Sequence, residues 1–219
     1  MSRLASLHRL VTSACLALWA LLSVLFLLTV QPFDGSGDSA LAVVSAYAFL
    51  GAQLALVIGT IGVAHLLRDR TPVLAPIAAT MTILGGFAHA PSAGVSLVQA
   101  GGGEGAAAAF ETVTVGPGAV LAIVSLTATI LGVIVLAIAL FRARLGAGWI
   151  GIVLIGWVVV EFGLSAMGLW AVLASAGLLL VGYGALAVLV YRSGLRDWMT
   201  VREWQAAGMP VDASELAGV

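Results

Sequence analysis

Lysine is absent from the 219 residues, and charged residues of all kinds make up only 9% of them. The missing lysine excludes a retinal-type Schiff base and any lysine nucleophile. A net charge of -1 excludes the basic surface that neutralises phosphates, so no nucleic acid partner is expected. The single cysteine, Cys15, excludes an intrachain disulfide.

Apolar residues dominate the composition instead. They make up 62% of the chain, and the mean hydropathy of +1.16 is far above that of a water-soluble domain. Apolar runs of roughly 20 residues recur, each long enough to cross a hydrocarbon layer of about 30 Å as a helix. Because these runs lack the two-residue alternation of barrel strands, the sequence predicts an all-α, polytopic membrane protein.

Six membrane spans are predicted, joined by short loops into one bundle. Their ranges are 10–30, 40–67, 73–90, 115–141, 148–164 and 169–191. The chain is therefore divided into a six-span transmembrane domain at 1–194 and a tail at 195–219. In the tail we expect a short interfacial helix, with Trp198, Met199 and Trp204 at headgroup depth beside Arg196 and Arg202, followed by a disordered end.

The arginines all fall on one side of this arrangement. They are Arg3, Arg9, Arg68, Arg70, Arg142, Arg144, Arg192, Arg196 and Arg202. The positive-inside rule then predicts that both termini are cytoplasmic. The acidic residues on the outer side are Asp34, Asp38, Glu104 and Glu111. The alanine- and glycine-rich composition without lysine indicates a GC-rich bacterial genome, so a bacterial cell membrane is the predicted location.

Two ionisable residues lie inside predicted spans. Counting 1.5 Å per residue from Arg70 and Arg144 places His89 and Glu161 about 25 to 29 Å from the cytoplasmic face, at one level. A hydrogen bond between them would offset the cost of removing each group from water. We therefore expect a polar pair of His89 and Glu161, with hydration of Glu161 at the outer headgroups as the alternative.

Further polar residues share faces with this pair. Thr82 lies on the His89 face of the third span, and Ser165 lies on the Glu161 face of the fifth. Gln53 and Thr60 lie seven residues apart on one face of the second span. They are candidates either for helix packing or for a solute path.

Small residues on the second span suggest a close contact with another helix. Gly51, Ala55 and Gly59 recur every four residues, which is typical of helices that approach closely. The neighbour is either another helix of the bundle or a partner, in a homodimer or a complex with another membrane protein. The lipid bilayer is the other expected partner.

No cofactor, metal or catalytic site is predicted. His65 and His89 lie at opposite depths, so they cannot ligate one haem iron, and the three histidines lack zinc-ligand spacing. Two functional classes remain. The first is a noncatalytic accessory or regulatory membrane component, and the alternative is a small transporter or channel with a polar path through Gln53, Thr60, His89 and Glu161.

Overall fold

The computed structural model describes residues 2–30, 39–100, 108, 115, 118–145, 148–164 and 167–199. Within these ranges the secondary structure is helical, and no strand occurs. The helices are α1 (Ser2–Thr29), α2 (Ser39–Leu67), α3 (Leu74–Ala100), α4 (Gly118–Ala143), α5 (Gly148–Gly163) and α6 (Leu169–Arg192). A short 3-10 helix, Leu195–Trp198, follows α6.

Five of the described helices are long and apolar enough to cross a membrane. They are α1, α2, α4 and α6, together with the Leu74–Pro91 part of α3. The sixth, α5, is apolar but has only 16 residues. The prediction of an all-α membrane bundle is confirmed. The acidic residues predicted on the outer side, Asp34, Asp38, Glu104 and Glu111, lie outside the described ranges.

The helices form a closed ring. Each helix packs against its neighbours in the sequence, and α1 also packs against α6. Arg9 Nη1 donates a hydrogen bond to the Ser193 carbonyl at 2.9 Å, and Arg70 Nη1 donates one to the Ala143 carbonyl at 3.3 Å. These bonds join the ends of helices that carry the arginines, which we call the arginine end. The opposite end of the ring is called the far end.

Glycines allow adjacent helices to approach closely. A Cβ added at Gly132 of α4 would lie 2.6 Å from Thr82 Oγ1 and 2.8 Å from Thr82 N of α3. One turn away the glycine is on α3 and the threonine on α4, where Gly85 accommodates Thr129. Since apolar side chains gain little by leaving lipid for one another, such close backbone packing is a main source of helix association. Similar contacts involve Gly59, Gly62, Gly86, Gly151 and Gly182.

The helix bounds differ from the predicted spans mainly in α1 and α3. α1 begins at Ser2, eight residues before the predicted span, and so includes Arg9. α3 continues through Pro91 to Ala100, although the prediction ended this span before the proline. Proline removes one backbone hydrogen bond, and in membrane helices neighbouring helices and side chains compensate for that loss. α2, α5 and α6 lie within one residue of the predicted bounds.

We expect Gly132→Ala to lower the free energy of unfolding in detergent by about 1 to 3 kcal/mol, because the new methyl group meets the Thr82 backbone. The matched control is Gly184→Ala on α6, where a Cβ meets nothing within 4 Å. That variant should be neutral or more stable by up to about 1 kcal/mol, because alanine favours helices. Equal effects of the two substitutions would contradict the packing described here.

Candidate functional site

A cavity of about 240 Å³ lies inside the ring, and residues of all six helices line it. The residues on its wall are Trp19, Ser23, Phe26, Leu27, Phe49, Gln53, Leu56, His89, Thr129, Trp157, Glu161, Phe162 and Leu179. Most of them belong to the half of each helix nearer the far end. Three residues of the predicted polar path, Gln53, His89 and Glu161, therefore lie on one wall, whereas Thr60 is not among the lining residues.

Glu161 is held on this wall by a partner on the next helix. The Ser175 hydroxyl of α6 donates a hydrogen bond to Glu161 Oε2, and Ser175 itself is buried. Glu161 is only partly buried, as expected for a group that borders a cavity. A hydrogen bond from a hydroxyl orients the carboxylate and stabilises its charge without neutralising it.

His89 is fixed by α4 and by its own helix. Its Nδ1 lies 2.8 Å from the Gly85 carbonyl and also hydrogen bonds to the Ser125 hydroxyl. Because a carbonyl oxygen only accepts, this network assigns the proton to Nδ1, and Nε2 of the neutral ring is then an acceptor. Phe49 packs edge-on against the ring, with centroids 5.7 Å apart. The described partners of His89 and Glu161 are thus two different serines.

Gln53 reaches the cavity beside a glycine of α3. A Cβ at Gly86 would lie 3.6 Å from Gln53 Oε1 and 3.1 Å from Val57 Cγ2. The absence of a side chain at Gly86 therefore makes room for the amide between α2 and α3. The position supplies both a donor and an acceptor to the cavity wall.

Aromatic side chains close the cavity toward the arginine end. The Trp19 and Tyr183 ring centroids lie 3.8 Å apart, and Trp157 meets Trp19 edge-on at 5.8 Å. We call these three residues the aromatic floor. Each is at most 5% exposed. The Trp157 indole nitrogen and the Tyr183 hydroxyl have no hydrogen-bond partner among the described residues, which is costly for buried polar atoms.

A second aromatic cluster fills the ring at the arginine end. The His8 ring lies 4.9 Å from His65 and 5.0 Å from Trp198, measured between centroids. Arg68 Nη2 donates to the Met199 carbonyl at 2.9 Å, which ties α2 to the start of the tail. Trp198 and Met199 are buried in the bundle core, and their expected position at headgroup depth stays a prediction. Arg202 and Trp204, also expected in the tail helix, lie outside the described ranges.

Two of the other predicted polar residues, Thr60 and Thr82, are not on the cavity wall. Thr60 is buried on α2, two turns nearer the arginine end than Gln53. Thr82 is buried at the contact with Gly132 described above. Ser165 lies outside the described residues.

The small-residue stripe of α2 faces α1. A Cβ at Gly51 would lie 3.0 Å from Leu22 Cδ1, and one at Gly59 would lie 2.9 Å from Leu16 Cδ2. Ala55, between them, is 4% exposed. The sequence allowed either a helix of the same chain or a partner protein against this stripe. The structure shows a helix of the same chain.

Sequence reasoning missed Ser125 and Ser175, although they hold the two ionisable groups. Each is a single serine in an apolar span. Sequence does not distinguish such a serine that bonds a neighbouring helix from one that bonds only its own helix backbone. The aromatic floor was missed as well, because aromatic residues occur in membrane helices wherever packing requires them. The signal that was available was the depth of each serine, which matches the depth of its partner.

Metal binding finds no support in the described part of the chain, where no three His, Cys, Asp or Glu side chains converge. His8 and His65 meet at the arginine end, and His89 lies near the far end. In comparisons with known proteins, no family model, no curated protein and no solved structure matches the chain.

We expect His89→Ala and Ser125→Ala to be coupled in a double-mutant cycle. The coupling should reach about 0.5 kcal/mol or more in the free energy of unfolding in detergent, because either change removes the same hydrogen bond. His89→Ala combined with Ser175→Ala serves as the control, and there the two effects should add. Additive effects for His89 and Ser125 would show that the hydrogen bond contributes nothing to stability.

Proposed function

We propose that this chain is a small transporter or channel that binds a small polar solute inside its ring of helices. The observation that carries the proposal is the cavity itself, bordered by all six helices and by Gln53, His89 and Glu161. Ionisable groups are costly within a membrane bundle and commonly mark substrate or ion pathways. Here two of them border a common space, and each is fixed in position by a serine.

Transport beyond the cavity would require the aromatic floor, whose side chains close the cavity in this structure, to move aside. Trp157 lines the cavity with its ring, and Tyr183 lies one turn of α6 beyond Leu179 toward the arginine end. Their unpartnered N–H and O–H groups would form hydrogen bonds with a solute that passes between α1, α5 and α6. Thr60 supplies a further hydroxyl at a deeper level of the ring.

The orientation follows from the arginine end, which we assign to the cytoplasm by the positive-inside rule. The cavity then lies in the outer half of a cell membrane, in a bacterium according to the composition. α4 ends at the arginine end and α6 begins at the far end, so α5 connects the two sides and forms a sixth crossing. Its 16 residues extend about 24 Å.

The accessory role predicted first from the sequence is less well supported than transport. That role was based on the scarcity of buried charge and on small-residue stripes and a tail that could bind a partner. The stripe of Gly51, Ala55 and Gly59 is filled by α1 within the chain. A component whose interior serves only for packing does not need a cavity lined by polar and aromatic groups. Transport therefore uses more of the observed features.

Cysteine labelling on α1 tests whether the cavity is reached by water. In a Cys15→Ser background, Ser23→Cys should react with a membrane-impermeant methanethiosulfonate added outside intact cells, because Ser23 lines the cavity. Two variants on the same helix are controls. Leu21→Cys should remain unlabelled because Leu21 is 60% exposed on the lipid-facing surface. Ser13→Cys should also remain unlabelled, because Ser13 bonds the Ala187 carbonyl at 2.9 Å, beyond the floor.

Protection of Ser23→Cys together with both controls would contradict the solute path and favour the accessory role. Labelling of all three positions would indicate general opening of the bundle instead of a cavity.

Reporter fusions test the orientation. Alkaline phosphatase fused after residue 35 should be active, because the enzyme matures only outside the cytoplasm, and the same fusion after residue 199 should be inactive. Green fluorescent protein at these two positions should give the opposite pattern. A cytoplasmic position for residue 35 would reverse the assignment and place the cavity on the inner side.

A further inference from the structure

The cavity wall has a distinctive composition, in which one carboxylate and five aromatic rings line the same space. The rings are those of Trp19, Phe26, Phe49, Trp157 and Phe162. Among the described residues of the wall, Glu161 is the one with a formal charge at neutral pH when histidine is counted as neutral. The described arginine side chains lie at the arginine end of the ring, away from the cavity.

A carboxylate that borders a largely apolar cavity attracts a counter-charge. Removing an unpaired charge from water costs free energy even when hydrogen bonds are present, and Glu161 is partly buried. Ser175 donates to Oε2 of Glu161, and no hydrogen bond to Oε1 occurs among the described residues, so Oε1 can bind an occupant of the cavity. With no cationic side chain on the described wall, the counter-charge comes either from a proton or from the occupant. An anionic solute would meet repulsion instead of a partner.

The rings favour the same sign of charge. The faces of aromatic rings attract cations through their quadrupole, within about 6 Å of the centroid, and Trp provides the strongest interaction. Phe26 and Phe49 lie 4.7 Å apart, and Trp157 and Phe162 lie 5.8 Å apart, so rings from three helices border one space. Such an arrangement is typical of sites for quaternary or alkylated ammonium groups.

The size and chemistry of the cavity limit the cation further. A volume of about 240 Å³ exceeds the roughly 150 Å³ that accommodates benzene and is below the roughly 300 Å³ at which drug-sized sites begin. Hard cations such as Na⁺ or Ca²⁺ fit this wall less well, because they require a shell of several oxygen ligands and most of the lining residues are aromatic or aliphatic. We infer that the cavity binds a small alkylammonium ion, with Glu161 as counter-ion and the aromatic rings as a cage.

Individual residues then have separate roles. Glu161 supplies the charge, and Ser175 is a positioning residue that orients it. His89 Nε2 accepts a hydrogen bond from a hydroxyl or N–H group on the solute. The Gln53 amide accepts such a bond through its oxygen or donates one to a hydroxyl through its nitrogen. This inference rests on the proposed function, because the solute must reach the cavity to bind there.

Choline and 3,3-dimethylbutan-1-ol provide a matched test, because they share a shape and differ in charge. Isothermal titration with the purified full chain should show saturable choline binding, with affinity for the neutral alcohol lower by about tenfold or more. Glu161→Gln should weaken choline binding by about tenfold or more and leave alcohol binding within about twofold. Asp69→Asn is the control, because it removes the same charge from a side chain that is 77% exposed, and it should change affinity by less than about twofold.

Phe49→Leu provides a second variant that keeps an apolar side chain if Glu161→Gln fails to fold. It should weaken choline binding by about threefold to tenfold and leave alcohol binding within about twofold. Equal affinity for choline and the alcohol, or choline binding unaffected by both cavity substitutions, would overturn the assignment of a cation.

The two proposals fail in distinguishable ways. If Ser23→Cys is labelled from outside and urea or acetamide binds while choline does not, the solute path stands and the alkylammonium assignment is wrong. If Ser23→Cys is protected, the path itself fails. Choline should also slow the labelling of Ser23→Cys at concentrations that match its affinity, whereas the neutral alcohol at the same concentrations should not.

Discussion

Hydrocarbon offers no hydrogen bonds, and this constraint governs the arrangement of the bundle. Polar groups in its helices must find partners or a cavity on the inner side. Ser125 therefore bonds His89, Ser175 bonds Glu161, and Ser13 bonds the Ala187 carbonyl. Such short side chains reach across only when the helices lie close together, which the glycines at their contacts permit. Contact between α1 and α6 closes the ring and separates its interior from lipid.

The closed ring has three levels with different chemistry. At the arginine end, His8, His65 and Trp198 fill the centre beneath the basic residues. Trp19 and Tyr183 form part of the aromatic floor in the middle. Above this floor the helices leave the cavity, where a carboxylate, an imidazole and an amide meet aromatic rings. Solute binding is proposed only for this level, because the two others are filled by side chains.

The sequence could predict the depth of each polar residue along its helix, but not the neighbouring helix that its side chain faces. Counting residues from the arginines placed His89 and Glu161 at one depth, and both line the cavity. Depth along a helix does not determine which neighbour a side chain faces, because that depends on how the helices are arranged around the ring. The partners Ser125 and Ser175 were therefore missed. For the same reason, the glycine stripe of α2 was compatible with a homodimer until its contact with α1 was known.

The most direct test is an X-ray structure of the full chain with tetramethylarsonium, whose arsenic scatters anomalously. The account predicts an anomalous peak inside a closed ring of helices, beside Glu161 and within about 6 Å of at least two aromatic ring centroids. An empty cavity in crystals saturated with the ion would contradict the alkylammonium site. Separation of α1 from α6 would contradict the closed ring on which the whole account depends.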